Sequence, residues 1–278
     1  MSAAASCQAC GCVSREALPG LLRCPACGLA WRAEKFFAAP AYVPGREELV
    51  YGSSKKKLFA AALDSLGAGA GRPGRLLDIG CAGGELLAAA AARGWSAEGV
   101  EIEPGLAARA AGAGFKVHAA PVENAGLPPG AFDAVTVFEV FSQMDAPAAA
   151  AAECARLLKP GGLLYLREFN ASFHLPLYRL ELRGFFKPLG ARPSVIHNFN
   201  FTPSALRALL LRAGFGEVSI RNSRPTSGDP YGSGGGLGTF FTAALKVLYY
   251  VLAQALWLAT LGRVYAGSAL IVTARKPD

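Results

Sequence analysis

LLDIGCAGGELL, residues 76–87, joins an apolar run through Asp78 and Ile79 to a turn containing Gly80, Ala82, Gly83 and Gly84, and then to a new apolar stretch. The pattern predicts a strand, a tight turn and a helix start. Glycine lets backbone amides approach a ligand at such a turn, and the helix N-terminus adds partial positive charge beyond the carboxyl end of the strand. A nucleotide-like cofactor fits there, although any dinucleotide-binding fold uses a similar loop. Outward from this stretch, SAEGVEIEP closes a second strand at Val100 and places Glu101 at its tip, where a carboxylate can accept both hydroxyls of a ribose. A third strand is expected around residues 115–117 and a fourth over residues 132–138, with Asp133 near its start. A helix stopped by the Pro160-Gly161-Gly162 turn then leads to a fifth strand.

In this order the segments resemble the class I S-adenosylmethionine-dependent methyltransferases, over residues 72–223 and a last strand near 268–274. The fold implied is α/β, a Rossmann-like sheet with helices on both faces. By this resemblance Asp78, Gly80, Cys81, Ala82 and Gly84 belong to the loop that holds the amino-acid end of S-adenosylmethionine. Glu101 holds its ribose, and Val122 with Glu123 lines the adenine edge. Ile102 and Phe138 are further cofactor-binding candidates. Two residues depart from the family pattern: Ala82 replaces a glycine in the loop, and Pro121 stands where many relatives place an aspartate near the adenine amino group. Adenine recognition then falls to backbone contacts.

Cys7-Gln-Ala-Cys10-Gly11 and Cys24-Pro-Ala-Cys27-Gly28 are two copies of a CxxCG knuckle. Four thiolates so spaced suit tetrahedral zinc, and a glycine after the second cysteine permits the left-handed turn that aims backbone amides at the sulfurs. With Cys7, Cys10, Cys24 and Cys27 as ligands no coordination position stays open, so the zinc is structural and organises residues 1–35 as a small ribbon. Cys12 is a spare, although the sequence also allows a pairing that uses Cys10 with Cys12. Cys81 and Cys154 read as small buried apolar residues.

At 278 residues the chain has room for this ribbon, a linker and helix start over 36–57, and one methyltransferase domain over 58–278. The N-terminus has no basic segment followed by an apolar one, so a reducing, cytoplasmic location is expected and disulfides are not. A net charge of +8 together with a mean hydropathy of +0.30 points two ways, toward an anionic partner and toward lipid. The run Lys55-Lys56-Lys57 reads as a solvated helix start. The ribbon's Arg15, Arg23, Arg32 and Lys35 do not form the basic and aromatic stripe that stacked bases need, so a nucleic-acid partner is not expected.

The methyl acceptor should sit beyond strands four and five, at VFEVFSQMDAP and REFNASFHLPLY. Many relatives have Glu-His where this chain has Ser142-Gln143, a departure that removes an imidazole from that loop. Methyl transfer from a sulfonium needs alignment, a dry pocket and, for a hydroxyl acceptor, a proton acceptor. Glu139, His174 and His197 are the candidates, with Glu168 and Tyr178 behind them and His118 read as structural. Residues 170–200 form a lid insert that mixes Phe173, Tyr178, Phe185 and Phe186 with Arg179, Arg183, Lys187 and Arg192, before a helix starting at Thr202 to Ser204.

A second insert, residues 225–266, carries the apolar run 239–261. It contains Lys246, and a span there would put the last strand on the far side of a bilayer from the sheet it must join, so spanning is not expected. On a helix Thr242, Lys246, Tyr250 and Gln254 form a narrow polar stripe beside a broad apolar face. That face must be covered by the domain's own core or a dimer partner, or by the inner surface of a membrane on which the enzyme is peripheral. The expected activity is methyl transfer to a small-molecule or lipophilic acceptor, such as a quinone precursor or a lipid. An RNA or protein methyltransferase, and a silent cofactor-binding protein, are the alternatives.

Overall fold

The computed structural model describes residues 6–13, 15–18, 20–34, 55–189, 192–226 and 236–278, with the side chains of 15–17, 189 and 236–245 excepted. Most of the expected linker, the glycine-rich loop at 227–235 and the side chains of Phe240, Phe241 and Thr242 lie outside this set.

Seven strands form the main sheet. β4 (Arg75–Ile79), β5 (Ser96–Val100), β6 (Lys116–His118), β7 (Phe132–Phe138) and β8 (Leu158–Phe169) are parallel, and β11 (Ala269–Arg275) runs antiparallel between β8 and β10 (Gly216–Asn222). The spatial order is β10-β11-β8-β7-β4-β5-β6. Strand order reverses between β4 and β7, and in open α/β sheets the ligand crevice lies at that reversal, outside the carboxyl ends of the strands. The central strands are apolar on both faces because helices cover both: Leu76, Leu77, Ala134, Val135, Val137, Leu164 and Leu166 are fully buried. The Pro160 to Gly162 turn lies inside β8, not ahead of it, since Gly161 at φ 71 lets the strand bend while Gly161 and Gly162 bond to Lys276.

The helices are α1 (Lys56–Ala70), α2 (Glu85–Ala91), α3 (Pro104–Gly112), α4 (Pro147–Leu157), α5 (Ala171–Leu182), α6 (Pro203–Arg212) and α7 (Gly236–Ala259). The segment expected to form a lid begins with α5, capped by Asn170, whose side chain accepts from Ser172 N at 3.0 Å. The other face of the Asn170 amide donates to Tyr265 O and Gly267 O, tying the lid's root to the chain that follows α7.

A second sheet, β1 (Arg15–Leu18), β2 (Leu21–Arg23), β3 (Ala30–Arg32) and β9 (Phe199–Asn200), joins the N-terminal cysteine segment to the stretch after the lid. Cys7, Cys24, Cys27, Leu29 and Trp31 share one buried cluster with Phe199, Phe201 and the sheet residues Val135 and Val137.

One expectation is corrected. Lys55 is buried and ion-paired, not a solvated helix start. For α7, none of the described residues covers the apolar side chains from Val247 on. Helix α7 packs on the domain through its polar and small residues. Asn222 Nδ2 donates to Ala253 O and to Gln254 Oε1, and Tyr249 Oη donates to Ala266 O while its ring lies 5.2 Å from that of Phe173. Val247, Leu248, Val251, Leu252, Leu256 and Leu258 point outward, Leu252 with 61% of its surface exposed.

Candidate active site

The loop after β4 is built for close approach. Gly80 stands at φ 74 and Ala82 at φ 46, and a Cβ on Gly80 would run into Val140. Gly84, at φ 89, caps the N-terminus of α2. Cys81 is buried against Gly99 of β5, so its thiol supports the loop from behind. Asp78 accepts a 2.6 Å hydrogen bond from Thr136 Oγ1, and burial pushes its carboxyl up to about 7. Glu101 is held open-handed at the tip of β5: Ala82 N donates to one carboxylate oxygen and Glu103 N to the other, both at 2.9 Å. Beside it Ile102 is 70% exposed. Val122 is buried in a short 3-10 turn, Val122–Asn124, while Glu123 is exposed.

These residues fit S-adenosylmethionine: a crowded glycine that brings backbone amides forward, a fixed carboxylate for the ribose and an exposed apolar neighbour for the adenine. Phe138 is different. Its ring packs edge-on to Phe59 at 5.1 Å and stacks with Tyr165 at 5.8 Å, so it belongs to the core beneath α1.

On the acceptor side Glu139 adopts φ 62 at the end of β7, a strained setting for a residue with a side chain. Its carboxylate is shared between Lys55, 3.1 Å away, and Arg167 of β8. Burial lowers the Lys55 ammonium to about 8. Two cations on one carboxylate occupy the lone pairs a base would use.

His174 donates from Nε2 to Ser268 O at 3.0 Å and accepts from Val195 N at Nδ1 at 3.2 Å. Both ring nitrogens therefore serve the backbone, and burial holds its pKa down at about 4. The expectation of a base at this position meets a ring with no lone pair to spare. His118, read as structural, pairs with Glu98 at 3.1 Å.

His197 is placed otherwise. Nδ1 lies 3.0 Å from Ser142 Oγ, in the loop that follows β7, and Nε2 has no hydrogen-bond partner among the described residues. Burial, with Arg32 nearby, lowers its pKa to about 4, so the ring is neutral at pH 7. Behind Ser142 stands Glu168, fully buried, which accepts from Ser142 N at 3.2 Å. Burial pushes this carboxyl up to about 7, against the pull of the Ser142 amide and hydroxyl. Phe169 separates the two histidines, its ring 5.7 Å from that of His174 and 5.4 Å from that of His197. The sequence offered His197 only as one of three candidate proton acceptors, within the segment 170–200. The structure brings this imidazole to Ser142, at the position where the loop itself has none.

The four knuckle sulfurs converge within 4.8 Å of one another, with Cys7 to Cys27 at 3.5 Å and Cys10 to Cys24 at 3.4 Å. Tetrahedral zinc with Zn–S of about 2.3 Å places its sulfurs about 3.8 Å apart, inside that range. Cys12 is exposed outside the cluster, so the pairing left open by spacing resolves to Cys7, Cys10, Cys24 and Cys27.

A parallel sheet with one antiparallel strand inserted near its edge, a glycine loop after the first strand and an acidic residue after the second define the class I methyltransferase architecture. Residues 51–220 match the methyltransferase domain family. The chain belongs to that family. Among curated relatives, it is 36% identical over 128 residues to a ubiquinone biosynthesis O-methyltransferase of Aromatoleum aromaticum, covering 42% of this chain and 53% of that protein. It is 35% identical over 163 residues to the protein so named in Xanthomonas campestris pv. campestris, covering 54% of this chain and 66% of that protein. The chain thus spans between about half and two thirds of the length of these relatives. The fold is shared with a methyltransferase from Archaeoglobus fulgidus, at 18% identity and a TM-score of 0.54, over 83% of this chain and 97% of that one.

Proposed function

We propose that this enzyme methylates a hydroxyl of a small lipophilic acceptor, a quinone precursor or a related lipid-like phenol, with His197 as the proton acceptor. The observation that carries the reading is the 3.0 Å contact of His197 Nδ1 with Ser142 Oγ at the mouth of β7. With the serine hydroxyl turned toward Glu168, its oxygen accepts from Nδ1–H, which fixes the tautomer and leaves the Nε2 lone pair to take the acceptor's proton. The charge that then develops on the imidazole is balanced through Ser142 by Glu168. Bound S-adenosylmethionine supplies the electrophilic methyl group, which the acceptor oxygen takes by in-line displacement. Phe169 and the buried edge of α5 keep the imidazole dry. Lys55 and Arg167 hold Glu139 and so shape the wall between cofactor loop and acceptor, which makes Glu139 a positioning residue in this account.

The acceptor class is supported by the O-methyltransferase names of the curated relatives and by the surface beside the lid. Helix α7 adjoins α5 through its domain-facing Tyr249 and Phe173, and α5 leads to exposed Leu182, Arg183, Phe185 and Lys187. Apolar side chains interleaved with cations suit the inner face of an anionic membrane, where a lipophilic acceptor would be concentrated. Among the described residues no helix is long and apolar enough to cross a membrane. Zinc in the thiolate cluster is part of the same proposal, as a structural ion.

The test is a mass-spectrometric screen of lipid and phenolic extracts incubated with enzyme and methyl-deuterated S-adenosylmethionine. Gain of a labelled methyl on a hydroxyl of a lipophilic species supports the reading. Label found only on RNA or protein would overturn it.

A further inference from the structure

We propose that the N-terminal thiolate module is a positioning element of the acceptor site: its metal-held β3 edge pairs with β9 and thereby sets where His197 stands. The proposal rests on the reading of His197 as the base. β9 is the edge of the second sheet and, among the described residues, pairs with β3 alone, Ala30 opposite Asn200 and Trp31 opposite Phe199. Every residue from 196 to 200 is tied to the ribbon or to the catalytic loop. Arg32 Nη2 donates to Ile196 O at 3.4 Å and Arg32 N to Asn198 O at 2.9 Å. The Asn200 side chain accepts from His197 N at 3.0 Å while donating to His197 O at 3.0 Å and to Ala30 O at 3.3 Å. On the other side Phe199 N donates to Ser142 O at 2.9 Å. Two residues further on, Thr202 caps α6 and donates from Oγ1 to the carbonyl of Cys27, one of the thiolate residues, at 2.6 Å.

The backbone on both sides of His197 is therefore clamped between a cysteine module and the Ser142 loop. The ribbon strands are too short, at three or four residues, to stand without a core of their own. In such modules metal binding supplies the folding energy, so loss of the ion should free β3 and leave β9 without a partner. The cofactor loop lies at the tips of β4 and β5 and shares no residue with this clamp.

The charged and titratable groups that face His197 are Arg32 from β3, His174 from α5 and, behind Ser142, Glu168 from β8. Freeing β3 removes Arg32 and admits water. The chain holds only three histidines, so each ring can be followed by NMR in the full-length protein without any acceptor. His197 is assigned through His197→Gln, and the protein is compared zinc-loaded, stripped by chelation under reducing conditions, and re-loaded.

Stripping is expected to move the His197 titration midpoint from about 4 up toward 6.5, to speed exchange of the Phe199 amide by at least about tenfold, and to leave S-adenosylhomocysteine affinity within about twofold. Zinc should reverse all of these. Asn200→Ala in zinc-loaded protein should reproduce the midpoint shift with the metal still bound. An unmoved midpoint and unchanged Phe199 exchange in stripped protein would overturn the proposal, as would parallel loss of S-adenosylhomocysteine binding with no shift in Asn200→Ala. If His197→Gln leaves methyl transfer intact while the clamp behaves as described, the base assignment fails and the coupling stands.

Discussion

Ser142 Oγ and His197 Nδ1 lie 3.0 Å apart, across 55 positions of sequence, with the Glu168 carboxylate on the far side of Ser142. A positioned base contributes about two to four powers of ten to a rate. His197→Gln should therefore lower kcat by about a hundredfold, and Ser142→Ala, which removes only the group that orients the ring, by about tenfold. S-adenosylhomocysteine affinity by calorimetry should be unchanged in both. Steady-state rates on the acceptor found by the labelling screen check this, and equal kcat for wild type and His197→Gln would remove His197 from the chemistry.

Cofactor affinity should depend on Glu101. Its two amide bonds hold the carboxylate in place before any ligand arrives, so little ordering is needed on binding. Glu101→Ala should weaken S-adenosylhomocysteine binding by about 2 to 3 kcal/mol, the scale of a charge-assisted hydrogen bond. Glu101→Gln, which still accepts at one oxygen, should lose less. Calorimetry decides, and identical affinities in all three proteins would displace the ribose site from this residue.

One zinc per chain is the expectation from the thiolate cluster, read by elemental analysis of reduced protein. Cys24→Ser should lower the metal content and raise protease sensitivity both before residue 35 and around 196–202, because the same sheet holds both segments. Cleavage confined to the N-terminus would show the ribbon to be an independent appendage.

The share of the pH dependence of stability that belongs to His174 can be isolated, although His197, also near 4, acts in the same direction. His174 has a folded pKa near 4 against an ordinary value of 6.5, so between these limits the unfolded chain binds more protons and stability falls as pH drops. Asp78 and Glu168, raised to about 7, act in the opposite direction and mask this in the whole protein. Comparison with His174→Gln cancels them. The advantage of wild type over the variant should shrink as pH falls from 7 to 4, by on the order of 3 kcal/mol. Paired thermal melts across that range test it, and a constant difference would show that His174 titrates normally.

The glycine turn at residues 80–84 and the carboxylate at Glu101 were legible because their conformational and chemical demands are local. The CxxCG knuckles were legible for the same reason, since each knuckle closes on itself. The β3 to β9 pairing was not. It joins two-residue and three-residue strands, with Asn200 reaching Ala30 over 170 positions, and no periodicity marks a strand so short. Lys55 was misread because a lysine run carries no sign of which member meets a buried carboxylate. For α7 the stripe of Lys246, Tyr250 and Gln254 was legible, but hydrophobic periodicity names faces without saying which one turns inward. Here Asn222 and the Ala266 carbonyl recruit the polar side.

That inverted packing makes the membrane proposal separable from a stability effect. Leu252 and Leu256 point away from the domain, so Leu252→Glu and Leu256→Glu together should leave the melting temperature within a degree or two of wild type, as ordinary surface changes do. The same pair should abolish flotation with anionic liposomes at low salt, because glutamates would replace the apolar contact and face the anionic headgroups. Arg179, Arg183, Lys187 and Arg263 are exposed, and each contributes up to about 1 kcal/mol where it reaches the headgroups, so wild-type flotation should weaken as salt is raised. Neutral liposomes should retain only the apolar part of the binding. Wild-type protein that stays at the bottom of the gradient with anionic liposomes at low salt would sink the membrane assignment. A dimer found by sedimentation in wild type and lost in the double variant would then give the exposed face of α7 to a second copy of the chain.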